Sequence, residues 1–303
     1  MIPRYMRQAH ETGHTGEAWQ IEARNRLEEG IGHARLTFQI GGCAMRLTAI
    51  LGVLLTAASP VAVQAQVAVD VELVLAVDVS RSMDYDELTL QREGYAAALE
   101  HPAVTSAFGM GAHGRVALMM FEWGGPGQVR LLLDWMVLEG PEDAAVAAQA
   151  LRQTPVGNLR GTSISAAMEV AGEELETNDF HGTRRVIDIS GDGPNNTGRP
   201  VEPVRDALAA KGIEVNGLPF MVKTPGGAYT IRDLDFYYED CVITGDSAFV
   251  IPIREMDRLV ASIRQKLILE VAGWQPERPA RFRRVAKTDC LIGEKLRRQW
   301  QEP

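Results

Sequence analysis

The sequence predicts an α/β protein, a three-layer α/β/α sandwich around a mostly parallel six-stranded sheet. Three observations carry this reading. Short runs rich in Val, Leu and Ile recur along the chain, and their length suits buried strands. Amphipathic stretches with helix start and stop signals alternate with them. One pair of runs is separated only by Trp123–Gln128, too short a stretch for a crossover helix, so that pair must be antiparallel.

The elements follow in order. Val71–Val77 (VELVLAV) is the first strand and ends at Asp78. Asp84 and Glu87 have capping-box spacing, which starts a helix running to about Glu100 with Leu88, Tyr95, Ala98 and Leu99 inward. Arg115–Glu122 and Val129–Trp135 are the second and third strands. Pro141 suits a first helical position and opens a helix to about Arg152. Ser163–Leu175 is another helix, with Ile164, Met168 and Ala171 on one face. Arg185–Ser190 is the fourth strand, and a helix over Pro200–Lys211 stops at Gly212. Ile213–Leu218 is the fifth strand, Leu234–Cys241 a short helix, Ala248–Ile251 the sixth strand and Arg254–Leu269 the final helix.

Composition narrows the function. With 46% hydrophobic and 23% charged residues, disorder of the whole chain is excluded. The net charge of −9 is unevenly spread: residues 1–65 carry +1, residues 66–273 carry −14 and residues 274–303 carry +4. An acidic body repels phosphate backbones, so the main domain is not expected to bind nucleic acid. Three cysteines are too few for a disulfide scaffold, and His and Cys are too scattered for zinc. Any metal would have to be held by oxygen.

The ends differ from the body. Residues 45–65 read as a cleavable signal peptide: Arg46 is basic, Leu47–Ala58 is apolar, Pro60 breaks the run and Val63-Gln64-Ala65 fits a peptidase site before Gln66. Residues 1–44 then read as a mis-assigned upstream extension, the competing reading being a signal anchor behind a cytosolic segment. Residues 66–273 form one domain, with no stable membrane span after cleavage, and 274–303 a basic, loosely ordered tail. In an oxidising compartment Cys241 and Cys290 can pair; the alternative is a buried free thiol at Cys241 and an unpaired cysteine in the tail.

The chemistry gathers at strand ends. Asp78-Val79-Ser80-Arg81-Ser82 has the form D-x-S-x-S where the first strand turns, so alternate residues converge. One carboxylate and two hydroxyls are hard donors that suit Mg²⁺, Mn²⁺ or Ca²⁺. Alone, the pentapeptide is better explained by capping and turning. Thr162, in Gly161-Thr162-Ser163, adds a hydroxyl before a helix, and Asp192, in Ser190-Gly191-Asp192-Gly193, adds a carboxylate after the fourth strand. With strand order 3-2-1-4-5-6 and strand 3 antiparallel, strands one and four flank the point where the order reverses. Asp78 and Asp192 then become neighbours.

Other candidates have plainer readings. Asp84 and Asp86 fit a helix N-terminus. Asn195 and Asn196 line the rim of the site or simply turn the chain. Trp123 either offers an exposed anchor to a partner or packs over the sheet end. Asp188 fits a buried carboxylate of the sheet interior. No G-x-S-x-G elbow and no phosphate-binding glycine loop appears, which leaves a hydrolase triad or a nucleotide site without support.

The triplet Asp78-x-Ser80-x-Ser82, Thr162 and Asp192-Gly193 resembles the metal-ion-dependent adhesion site (MIDAS) of von Willebrand factor A domains, over about residues 70–270. The wording VIDISGDGPNN further resembles an uncharacterised bacterial family of exported A-domain-like proteins. The resemblance implies a Rossmann-like, vWA-like sandwich. It implies that Ser80 and Ser82 ligate a Mg²⁺ ion directly, that Thr162 joins directly or through water, and that Asp78 and Asp192 act mostly through water. One corner stays open for the carboxylate of a protein partner. Many A domains have Thr-Asp-Gly after the fourth strand, whereas Gly191 precedes Asp192 here. The expected function is a non-enzymatic, exported protein-binding module in the periplasm or outside the cell. The rival expectation is a metal-dependent hydrolase, acting on phosphate esters with the same ion as Lewis acid.

Overall fold

A run of eight consecutive buried residues, Val71–Asp78, marks the centre of the sheet, because only a strand covered on both faces can be apolar on both. It is the C-terminal part of β1 (Val67–Asp78). The structure is a computed structural model that describes residues 66–222, 230–273 and 287–301. The expectations for residues 1–44 and for the signal peptide lie outside the described residues. Among the described residues no helix is long and apolar enough to cross a membrane.

The elements after β1 are α1 (Tyr85–Leu99), α2 (Pro102–Phe108), β2 (Val116–Trp123), β3 (Val129–Leu138), α3 (Pro141–Gln153), α4 (Ile164–Thr177), β4 (Phe180–Gly191), α5 (Val201–Ala210), β5 (Glu214–Pro219), α6 (Leu234–Tyr237), α7 (Leu259–Ala272) and α8 (Ile292–Gln301). The sheet order is β3-β2-β1-β4-β5, with β3 antiparallel to β2 and the other pairs parallel. Helices α1, α2, α3 and α7 pack together on one face, and α4 and α5 on the other. The three-layer sandwich and its order are as the sequence predicts. The residues expected inward on the helices, Leu88, Tyr95, Ala98 and Leu99 on α1 and Ile164, Met168 and Ala171 on α4, are all buried.

Four local differences have physical causes. Strands β1 and β4 begin four and five residues earlier than their apolar runs, where Val67 pairs with Phe180 and Ala68 with His181. In β4 the added residues Phe180–Arg184 are mostly small or polar and partly or fully exposed, which hides the strand; in β1 the partly exposed Asp70 interrupts the apolar run and Val67–Val69 continue the ladder beyond it. The expected sixth strand, Ala248–Ile251, is a pair of isolated parallel bridges, Gly217 to Val250 and Phe220 to Ile253. Pro219 and Pro252 sit along this would-be ladder and bring no N–H to it. Helix α2 was not expected, although Pro102 at its first turn and the His101 side chain, accepting from the Ala103 N–H at 3.1 Å, form its start. The expected loose tail instead carries α8, joined to the body by a disulfide between Cys290 and Cys241.

Two buried ionic clusters escaped the sequence. Glu122 of β2 is paired with both Arg92 of α1 and Arg130 of β3. Lys266 of α7, 1% exposed, sits 3.0 Å from Asp188 of β4, against Glu270, and 5.3 Å from the Phe249 ring centroid. Burial pushes the Glu270 carboxyl up to about 8, against the pull of Lys266. Asp188 is likewise raised by burial.

Candidate metal centre

The site lies at the carboxyl ends of β1 and β4, where the order of strands reverses. Asp78 closes β1, and its Oδ1 accepts the Ser80 N–H at 2.7 Å, which turns the chain back over the strand end. Ser80 Oγ is 2.9 Å from Ser82 Oγ, and the Ser82 hydroxyl donates to Asp192 Oδ1 at 2.7 Å. The depth is graded: Asp78 and Ser80 are buried, Asp192 is 6% exposed and Ser82 faces solvent.

Thr162 reaches the same end on its own loop. Leu159 N–H donates to Val79 O at 2.8 Å and Ser163 N–H to Gly124 O at 2.9 Å, tying that loop to β1 and to the turn after β2. Gly161 makes the bend with φ +79°, a conformation that favours glycine. Asn196 then binds Thr162 in both directions: its N–H donates to Thr162 O at 2.9 Å, and its Oδ1 accepts the Thr162 N–H at 3.2 Å. Ser163 caps α4 by accepting from Ala166 N–H at 3.3 Å.

The electrostatics are unfavourable without a cation. Burial, and then the negative charge of Asp192, push the Asp78 carboxyl up to about 8. Its Oδ2 is buried and finds no donor in the protein. Two carboxylates and three hydroxyls are hard donors, which fit Mg²⁺, Mn²⁺ or Ca²⁺, and the orphaned Oδ2 is the kind of atom a cation or its water would satisfy. Among the described residues no group of three or more His, Cys, Asp or Glu is gathered for a metal, so the hydroxyls would be essential to any site.

Gly191 has a steric reason. A Cβ there would lie 2.9 Å from Tyr238 Oη and 3.0 Å from Asp78 Oδ2. Tyr238 belongs to a π-helical turn, Tyr238–Val242, that continues α6. The threonine found in many A domains would collide with it.

The remaining candidates separate cleanly. Asp84 makes a complete capping box with Glu87, at 2.8 and 2.9 Å, and Asp86 lies in the first turn of α1. Trp123 is 1% exposed, so the reading of an exposed anchor is corrected: the ring packs in the core at the end of β2. Asp188 is buried and committed to Lys266. Gly193 is buried in the loop after β4. Asn195 is fully buried and braces α4, its Oδ1 accepting the Ser165 N–H at 3.1 Å while the Tyr237 hydroxyl accepts its own N–H at 3.2 Å. No local pattern in the sequence pointed to Tyr238, or to Glu294 and Arg297 of α8, because each meets the site only through the tertiary fold.

A family profile described as a protein of unknown function (DUF1194) matches residues 68–275. No curated protein matches the chain by sequence. Among solved structures, proximal thread matrix protein 1 from the mussel byssus is 14% identical over 68% of this chain and 49% of its own, with TM-score 0.50. The pilus adhesin SpaC from Lactobacillus rhamnosus GG is 12% identical over 68% of this chain and 31% of its own, with TM-score 0.51. A von Willebrand factor type A protein from Catenulispora acidiphila is 14% identical over 67% of this chain and 43% of its own, with TM-score 0.48. The chain spans about half of the first protein and about a third of the second. Identities this low speak to the fold alone.

Proposed function

From the premise that this chain belongs to the DUF1194 family of proteins of unknown function and has a von Willebrand factor A-like fold, we propose that it is an exported, non-enzymatic module that binds a protein partner through a divalent cation. The observation that carries the reading is the convergence of Asp78, Ser80, Ser82 and Asp192 at one strand end, with Thr162 held alongside and Asp78 Oδ2 left without a donor. Ser80, Ser82 and Thr162 would hold the ion, with Asp78 and Asp192 steadying it. Bound there, Mg²⁺, having few anionic ligands, would leave a coordination position attractive to an Asp or Glu of the partner.

Export is supported by the sequence pattern at residues 45–65 and by the Cys241–Cys290 disulfide, which suits an oxidising compartment. Two solved proteins of similar fold are named for adhesion and for a thread matrix, which favours an interaction role. The hydrolase reading needs a general base beside the ion. Asp188, the further carboxylate on β4, is committed to Lys266 and does not serve.

The test is thermal unfolding titrated with Mg²⁺, Mn²⁺ and Ca²⁺, together with partner capture from the exported fraction in Mg²⁺ or EDTA. A cation-dependent rise in Tm, lost in Ser80→Ala and Asp192→Asn, is expected, with capture abolished by EDTA. A cation-independent Tm in the unaltered protein removes the metal site. Metal-dependent turnover of phosphate esters would establish the enzyme instead.

A further inference from the structure

Residues 287–301 meet the body of the protein at the π-helical turn Tyr238–Val242 and at the loop after Asp192, the back of the metal site. Thr288 N–H donates to Asp240 Oδ2 at 2.8 Å, and the neighbouring Cys290 is bonded to Cys241. In the first turn of α8, Glu294 Oε1 accepts from Asn195 Nδ2 at 2.7 Å, and in the next turn Arg297 Nη1 reaches Asn196 O at 3.5 Å. The approach is close enough to require glycine at 293, where a Cβ would lie 2.1 Å from Asn195 O. These are the same two asparagines that brace α4 through Ser165 and hold Thr162 by its backbone. A continuous path therefore runs from the disulfide through Glu294 and Asn195–Asn196 to Thr162.

We infer that α8 is a strap and that Glu294 is a positioning residue for Thr162, with the Cys241–Cys290 bond making that hold depend on oxidation state. The strap leans on a few polar contacts, and Lys295, Arg298 and Trp300 are exposed along it. The covalent link keeps those contacts at high effective concentration. A dithiol reductant passes two electrons and two protons to the sulfur pair, giving two thiols and becoming a disulfide itself. Glu294 and Arg297 are then held by weak contacts alone, and α8 leaves the loop. The inference deepens the metal-binding reading, since Thr162 is one of the proposed donors.

The test uses the full chain, oxidised or reduced with dithiothreitol, alongside the double variant Cys241→Ser, Cys290→Ser and the single variant Glu294→Ala. Two readouts are taken: amide hydrogen exchange in metal-free protein, and Mn²⁺ affinity. Expected are exchange at least about tenfold faster at Thr162, Ser165 and Asn196 after reduction, with Leu73–Leu75 of β1 unchanged. Mn²⁺ affinity should fall about tenfold or more, as for loss of groups that orient metal ligands. Glu294→Ala should do the same with the disulfide intact, which separates positioning from loss of the cross-link. Unchanged exchange at Thr162 and Asn196 overturns the strap. So does acceleration that extends equally to β1, because that is general unfolding. Faster local exchange in a protein that binds no Mn²⁺ in either state upholds the strap and removes the metal site. Tight Mn²⁺ binding, indifferent to reduction and to Glu294→Ala, keeps the metal site and removes the strap.

Discussion

Gly191→Ala is the sharpest perturbation of the site, because the structure says what one methyl group would meet. The added carbon would sit 2.9 Å from Tyr238 Oη and 3.0 Å from Asp78 Oδ2, several tenths of an ångström inside ordinary contact on both sides. Both neighbours are buried, and neither atom has a hydrogen-bond partner to guide it elsewhere. Overpacking of this kind costs about 1–3 kcal/mol. Tyr238→Phe removes one of the two clashes. Since the lost hydroxyl is buried and unpartnered, that change alone should be close to neutral, within about 0.5 kcal/mol. The double variant should therefore recover about 0.5 kcal/mol or more of the loss. Urea unfolding of the four proteins closes the cycle. Mn²⁺ affinity, measured in parallel, should fall in Gly191→Ala as Asp78 is displaced and recover only partly in the double variant, because the contact with Asp78 persists. Effects that simply add, within about 0.3 kcal/mol, would refute the packing argument for glycine at this position.

Other outcomes are expected. Lys266→Met strands Asp188 and Glu270 in the core and should cost about 3–5 kcal/mol. The folded-state pKa of Glu270 lies above its unfolded value, so its stabilising effect is present below about pH 4.5 and is lost as pH rises through about 8. The Lys266→Met deficit should accordingly be larger at about pH 8.5 than at about pH 5 by urea midpoint, and a deficit that shrinks with pH contradicts the cluster. Asp84→Ala removes one of the two capping-box bonds of α1 and should lower stability by about 1 kcal/mol in thermal melts. Reducing the disulfide, which joins cysteines 49 residues apart, should cost about 4 kcal/mol in urea while the fold survives. A cost near zero would mean that α8 is held without it.

The sandwich was legible because β1, β2 and the C-terminal half of β4 are buried on both faces, and short apolar runs like VELVLAV bounded by turn signals are what such burial produces. The short link between Glu122 and Val129 was enough to set β3 antiparallel. Asp78, Ser80 and Ser82 were legible because their spacing is local, and Asp192 because the strand order makes it their neighbour. Where reading by residue failed, the cause was tertiary. Lys266 looks like a solvent-facing lysine of a helix until Asp188 and Glu270 are seen across from it. Asn195 and Asn196 read from sequence as site rim or as turn residues, yet their amides are spent on Ser165, Thr162 and Glu294. The segment after Gly273 looked loose because Glu294 and Arg297 find partners only on a loop about a hundred positions earlier.

The two borders of the sheet constrain how anything can be recognised. On the β5 side, Val250 and Ile253 already lie alongside as isolated bridges. On the β3 side, the ladder with β2 shifts register between Leu118 and Phe121, an irregularity of the kind that blunts an edge strand. A binding partner that tried to extend the sheet with a strand of its own would find one margin covered and the other interrupted. On the proposed function, a partner would instead meet the rim of loops above the strands, where a single point of attachment can be made and broken without rearranging the core.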